Sequence, residues 1–124
     1  MSSRLCTTLI VAGAALVTGC DALTSPVVCT SEARSGIAVE VLDSSSNAPV
    51  GEGAKITARD GAFIQTAITA DEYPGPYGLA HERAGVYTVT VQQDGYAIWT
   101  RSDVVVTRDQ CHVRTVELTA LLQP

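Results

Sequence analysis

Short runs in which apolar and polar residues alternate, separated by turn residues, dominate the chain after residue 35. In residues 37–42, Ile37, Val39 and Val41 occupy every second position, which is the period of a half-buried β-strand. Residues 86–92 repeat this pattern with threonines at the intervening positions. No segment after residue 20 shows a sustained helical period. The patterning therefore predicts an all-β fold.

Turn residues divide this region into about seven strands. Asp60-Gly61 is a hairpin signal that predicts antiparallel pairing of residues 54–58 with residues 63–68. Residues 71–78 contain two prolines and predict an irregular loop or a poor edge strand. The remaining strands are predicted at residues 79–83, 96–100, 104–106 and 112–120. Strands of this number and length predict one antiparallel β-sandwich over residues 36–122.

The first twenty residues form a separate segment with a basic start and an apolar run. The run, residues 9–17, is far shorter than the roughly 20 residues of a membrane-spanning helix, so it reads as a cleaved signal. It ends in Val17-Thr18-Gly19-Cys20, which resembles a bacterial lipobox. The resemblance implies removal of residues 1–19 and a diacylglyceryl thioether on Cys20, commonly with a third acyl chain. The alternative is an ordinary secretory signal with a chance cysteine.

Lipidation of Cys20 would place the domain outside the cytoplasm, held to a membrane of the bacterial envelope by two or three acyl chains. The choice between inner and outer membrane stays open. Residues 20–35 would be the lipidated cysteine and a tether. Cys6 would leave with the signal, so Cys29 and Cys111 would remain as the only cysteine pair.

In an oxidising compartment, an isolated cysteine pair favours a disulfide. The alternative is two separate thiols, with Cys111 and His112 as half of a metal site. No Cys-x-x-Cys or His-x3-His spacing supports that alternative. We therefore predict a Cys29–Cys111 disulfide, no metal and no cofactor.

Two stretches resemble carboxypeptidase regulatory-like domains. The first is residues 36–43, a turn, Ala48-Pro49-Val50 and residues 54–58; the second is Gly85-Val-Tyr-Thr-Val-Thr-Val91 followed by Asp94-Gly95-Tyr96. The resemblance spans roughly residues 36–118. It implies a transthyretin-like sandwich that serves as a non-catalytic accessory. Gly51-Glu52-Gly53 departs from the family's more compact Gly-Ala at the start of the second strand.

Charge and side-chain chemistry narrow the functional classes. The chain holds 8 Lys and Arg against 13 Asp and Glu and contains no basic run, so nucleic-acid binding is not expected. Neither His81 nor His112 lies in a catalytic motif, and we place both on solvated surface. Flat amphipathic rings suit contact with a protein or a carbohydrate. The candidate ligand-binding residues are therefore the aromatic residues Tyr73, Tyr77 and Trp99.

The sequence thus predicts a membrane-anchored envelope lipoprotein whose sandwich is a non-catalytic binding or scaffold module. Its partners would be the membrane, through Cys20, and an envelope protein or glycan. One alternative is a carbohydrate-binding module that contacts surface glycan through the three aromatic residues. Another is a small hydrolase that uses His81 or His112.

Overall fold

The computed structural model describes residues 26–69 and 73–124. The signal segment, the lipobox and Cys20 lie outside the described residues, as do Asp71 and Glu72. Within the described ranges, no helix is long and apolar enough to cross a membrane. The described residues form seven strands: β1 Ile37–Asp43, β2 Lys55–Asp60, β3 Phe63–Ile68, β4 Tyr77–Leu79, β5 Gly85–Gln92, β6 Trp99–Val106 and β7 Val116–Leu122.

The strands form two sheets, which confirms the predicted all-β sandwich. Three strands make one sheet in the order β4-β1-β7, and four make the other in the order β3-β2-β5-β6. The four-stranded sheet is antiparallel throughout, and Asp60 pairs with Phe63 across the predicted Asp60-Gly61 hairpin. Contacts of β3 with β4, and of β6 with β7, bring the two sheets together along both sides.

The core follows directly from the alternating pattern. Ile37, Val39 and Val41 of β1 are fully buried, as are Tyr87 and Val89 of β5. β-Branched and aromatic side chains suit a pleated surface with one face buried, so local preference and core formation agree in these strands. The two inner faces form one apolar cluster between the sheets.

Strand direction is the main feature that the pattern did not predict. β1 pairs with β7 in parallel, from Ile37 opposite Val116 to Asp43 opposite Leu122. The chain leaves β1, builds the whole four-stranded sheet and β4, and returns to lie beside β1. A period of two residues is the same for parallel and antiparallel strands, so alternation carries no information about direction.

Several strand boundaries also differ from the prediction, and the last strand begins at Val116 rather than near residue 112. Residues 96–100 and 104–106 were predicted as separate strands, but Trp99–Val106 is one strand with an extra residue relative to β5. Asp103 adopts a φ of 55° at this bulge, a conformation that Asp tolerates better than most residues. β4 begins at Tyr77, within the stretch predicted as an irregular loop or a poor edge strand, and it lies at the edge of its sheet beside β1.

Candidate functional site

A disulfide fastens the N-terminal segment to the end of the sandwich. Cys29 and Cys111 lie at disulfide distance, with Cα atoms 5.2 Å apart and a sequence separation of 82. Cys29 precedes β1, and Cys111 lies in the turn before β7. The parallel pairing of β1 with β7 brings the starts of both strands to the same end of the sheet, which is why these distant cysteines meet.

A carboxylate, an imidazole and a hydroxyl lie in line beside the disulfide. Glu82 Oε1 lies 2.7 Å from His112 Nδ1, and His112 Nε2 lies 2.9 Å from Thr30 Oγ1. Because an ionised carboxylate can only accept, the Nδ1 proton belongs on His112; when the ring carries no second proton, Nε2 accepts from the Thr30 hydroxyl. His112 is only 7% exposed. The ring therefore bridges the N-terminal segment and the sandwich.

The Glu82 carboxylate connects the parts of this arrangement through hydrogen bonds. Its Oε1 also accepts a hydrogen bond from the Arg34 backbone N–H at 2.8 Å, and its Oε2 accepts from the Val113 backbone N–H at 3.3 Å. The Arg34 hydrogen bond, followed by that of His112, lowers the pKa of Glu82 below its ordinary value. One ionised side chain thus joins three separate parts of the chain.

The turn that carries His112 is organised by Asp109. Its Oδ1 accepts hydrogen bonds from the backbone N–H groups of His112 at 2.9 Å and Cys111 at 2.8 Å. These bonds lower the pKa of Asp109. An isolated bridge between Arg108 and Val113 closes the turn. The turn therefore presents Cys111 and His112 together to the N-terminal segment.

Residues 34 and 35 attach to the sandwich at further points. The Glu82 backbone N–H donates to Arg34 O at 2.9 Å, and Thr115 Oγ1 donates to Ser35 O at 2.7 Å. Ser35 Oγ lies 3.1 Å from Nε2 of His81, which is exposed as expected. Residues 29–35 were expected to belong to the tether, and the structure places them against the sandwich.

We name the contacts made by Cys29, Thr30, Arg34 and Ser35 the N-terminal clasp. An open depression of about 430 Å³ lies beside it, lined in part by Val27, Val28 and Arg34. Val28 is 88% exposed. Val27 and Val28, which precede the clasp, therefore expose apolar side chains.

The three candidate aromatic residues do not share a surface. Tyr77 is 1% exposed and belongs to the core, because the alternation of β4 turns Tyr77 and Leu79 inward. Tyr73 is exposed and lies before β4, whereas Trp99 lies on β6 at the edge of the other sheet, with the Arg101 guanidinium 5.4 Å from its ring centroid. The prediction of ligand contact through the Tyr77 ring is therefore wrong.

Apart from the disulfide, the contacts of the clasp were not predicted, because the residues that make them are far apart in sequence. His112 was placed on an outer face, but the Asp109 turn and Glu82 bring it into a nearly buried position. The available signals were the adjacent pairs His81-Glu82 and Cys111-His112, each of which contains a residue that the clasp uses. No spacing motif joins the two pairs.

Neither metal ligation nor a match to known proteins points to a function for this arrangement. In the part of the chain that the structure describes, no three His, Cys, Asp or Glu side chains are grouped to hold a metal ion. No protein-family model matches the chain, and no curated protein sequence matches it either.

Proposed function

We propose that the chain is an envelope lipoprotein, anchored through acylated Cys20, whose sandwich acts as a non-catalytic binding or scaffold module. The carboxypeptidase regulatory-like resemblance of residues 36–118 supports an accessory role. The N-terminal clasp is the observation that carries the proposal. It fastens the chain to the domain only nine residues after Cys20.

A clasp so close to the anchor limits how far the domain can move from the membrane. Nine residues span at most roughly 30 Å when fully extended, which is about the thickness of the hydrocarbon core. Two or three acyl chains give stable attachment. A force on the anchor would act on β1 and β7 through the disulfide and the hydrogen bonds of the clasp. These bonds would keep the N-terminal segment attached to the sandwich. The sandwich would therefore work within a short distance of the bilayer.

Replacing Cys20 tests the anchor. We expect Cys20→Ser to move the protein from the membrane fraction to the soluble fraction of cells, because the thiol that receives lipid is lost. Cys6→Ser is the matched control, since it changes a cysteine of the same signal segment without touching the lipobox. Cys20→Ser protein that stays with the membrane would refute lipid anchoring at this residue.

A hydrolase is the second candidate, and the Thr30–His112–Glu82 geometry favours it specifically. A base oriented by a carboxylate and bonded to a hydroxyl is the arrangement that activates a nucleophile. Thr30 Oγ1 would attack an ester carbonyl while His112 Nε2 takes its proton, and the imidazolium would pass that proton to the alcohol that leaves. Water, deprotonated by His112 in the same way, would then hydrolyse the acyl-threonine ester, releasing the carboxylic acid and restoring the Thr30 hydroxyl.

Hydrolysis of p-nitrophenyl acetate separates the two candidates. A non-catalytic clasp predicts equal background rates for the wild type, Thr30→Val and the exposed control Thr100→Val. A turnover that only Thr30→Val abolishes would instead establish the hydrolase.

A further inference from the structure

The two outer faces of the sandwich carry opposite charge. In β2, β3 and β5, the outward positions include Lys55 and Arg59 and no carboxylate. On the edge strand β6, Arg101 lies opposite buried Val89 and beside Trp99, on the inner side of the sheet, and Asp103 lies at the bulge, so the basic charge of this face comes from Lys55 and Arg59 alone. In β1, β4 and β7, the outward positions include Glu40 and Glu117 and no basic residue. We name these surfaces the basic face and the acidic face.

The charges of both faces are free to act on a partner. Lys55, Arg59, Glu40 and Glu117 are all exposed. Across residues 26–69 and 73–124, none of the four forms an ion pair, whereas two other arginines do. Each face therefore presents uncompensated charge of one sign, which favours association with a surface of the other sign.

The basic face also carries exposed apolar side chains and a row of short side chains. Its outward apolar side chains are half or more exposed: Ile64 53%, Ile68 74%, Val86 51% and Val105 54%. Between them, cross-strand neighbours form a row of four threonines, one from each strand: Thr66, Thr57, Thr90 and Thr100. Thr57 and Thr66 are hydrogen-bonded at 3.3 Å. Short β-branched side chains leave a surface on which another sheet can lie.

The acidic face contains a recess that suits a basic side chain. A depression of about 230 Å³ is lined by Glu40, Glu117 and Thr119, together with Ala38, Pro76 and Leu118. Its two carboxylates and apolar walls match the charged tip and methylene stem of a lysine or arginine. Lys55 and Arg59 on the basic face are side chains of this kind.

We propose that the basic face of one copy packs on the acidic face of the next copy, with Lys55 and Arg59 directed at Glu40 and Glu117. Both complementary surfaces belong to the same molecule, so a second copy satisfies the charge of each. Two basic faces in a symmetric contact would instead oppose like charges. A contact between unlike faces repeats from copy to copy and builds rows rather than closed dimers.

Membrane anchoring is part of this inference, which in that respect rests on the proposed function. Four strands about 4.8 Å apart and six residues of about 3.4 Å give a face of roughly 400 Å². A standard interface buries about 800 Å² per partner, so the contact is weak in dilute solution. Anchoring concentrates the copies in one plane and raises their effective concentration. Rows are therefore expected on membranes.

Photo-crosslinking of the full-length chain in cell membranes tests the proposal. A photoreactive amino acid replaces Thr90, in the middle of the basic face. As a positional control, a second strain carries it at Ala62, an exposed residue in the turn between β2 and β3. We expect a ladder of self-adducts from position 90 and none from position 62.

Charge reversal tests the pairing of the two faces. Lys55→Glu with Arg59→Glu should abolish the ladder, as should Glu40→Lys with Glu117→Lys. Co-expression of the two charge-reversed proteins should restore the ladder, because each then meets a face of opposite charge. Unaltered thermal unfolding of both variants shows that folding is intact.

Three results would overturn the proposal: a ladder that survives charge reversal, a failure of co-expression to restore it, or adducts only with other molecules. Fractionation of the same cells reports the anchor separately. Membrane-bound protein without self-adducts refutes the rows while leaving the anchor standing.

Discussion

Removing the Cys29–Cys111 disulfide should cost a large part of the stability of the domain. The bond joins residues 82 positions apart and closes a loop that contains every strand except β7. The chain-entropy relation gives about 4.5 kcal/mol for a loop of this length at 25 °C, as an upper figure from which native strain subtracts. At about 4 to 8 °C per kcal/mol for a domain of this size, the unfolding midpoint would fall by up to roughly 20 to 35 °C.

Urea unfolding of Cys29→Ser, Cys111→Ser and the double variant measures this loss. Either single change breaks the bond, so we expect all three free energies of unfolding to fall by a similar amount, well short of additivity. Reduction of the wild type should reproduce the loss. A decrease below about 1 kcal/mol, far under the chain-entropy figure, would refute the reasoning, because it would mean that residues 29–35 do not fold cooperatively with the sandwich.

Three further predictions concern individual side chains. The fold lowers the pKa of Glu82, so the ionised carboxylate stabilises the protein fully at a pH above the ordinary pKa of glutamate. This stabilisation is lost as the pH falls through the lowered pKa of the folded state. The unfolding midpoint of Glu82→Gln should therefore change less between pH 7 and pH 3 than that of the wild type. Thr69 is buried, and its hydroxyl accepts a hydrogen bond from the Ala54 N–H at 3.0 Å. In urea unfolding, Thr69→Val should lower the free energy of unfolding by about 1 to 3 kcal/mol, whereas the exposed control Thr66→Val should change it by less than about 0.5 kcal/mol. A Cβ on Gly51 would lie 2.7 Å from the buried Tyr77 ring, so Gly51→Ala should lower the free energy of unfolding by about 1 to 3 kcal/mol; an unchanged value would show that the ring can move aside.

Residue patterning predicted the strands better than their arrangement. Period-two alternation identifies β1, β2 and β5 because the buried face of each strand is a local property of its own sequence. The parallel partnership of β1 with β7 is a long-range property, set by how the intervening sheet folds over the core. Asp103 joins two predicted strands into β6 because a single bulged residue preserves pairing across the break.

The candidate site shows the same division between local and long-range information. Two cysteines left in one oxidised domain predict a bond whatever their separation, and the structure places Cys29 and Cys111 at bonding distance. Glu82, His112 and Thr30 meet only because β1 and β7 start at the same end of the sheet, and no local pattern encodes that. The prediction for the ring at position 77 failed because the two prolines indicated an irregular loop or a poor edge strand, and neither shows that β4 turns this ring into the core.

The intact mass of the mature protein, extracted from membranes, tests the lipoprotein account most directly. The account predicts a chain that begins at Cys20, lacks residues 1–19, and carries the added mass of a diacylglyceryl group, with or without a third acyl chain, on its first residue. A chain that retains residues 1–19, begins at another residue, or begins at an unmodified Cys20 would contradict it.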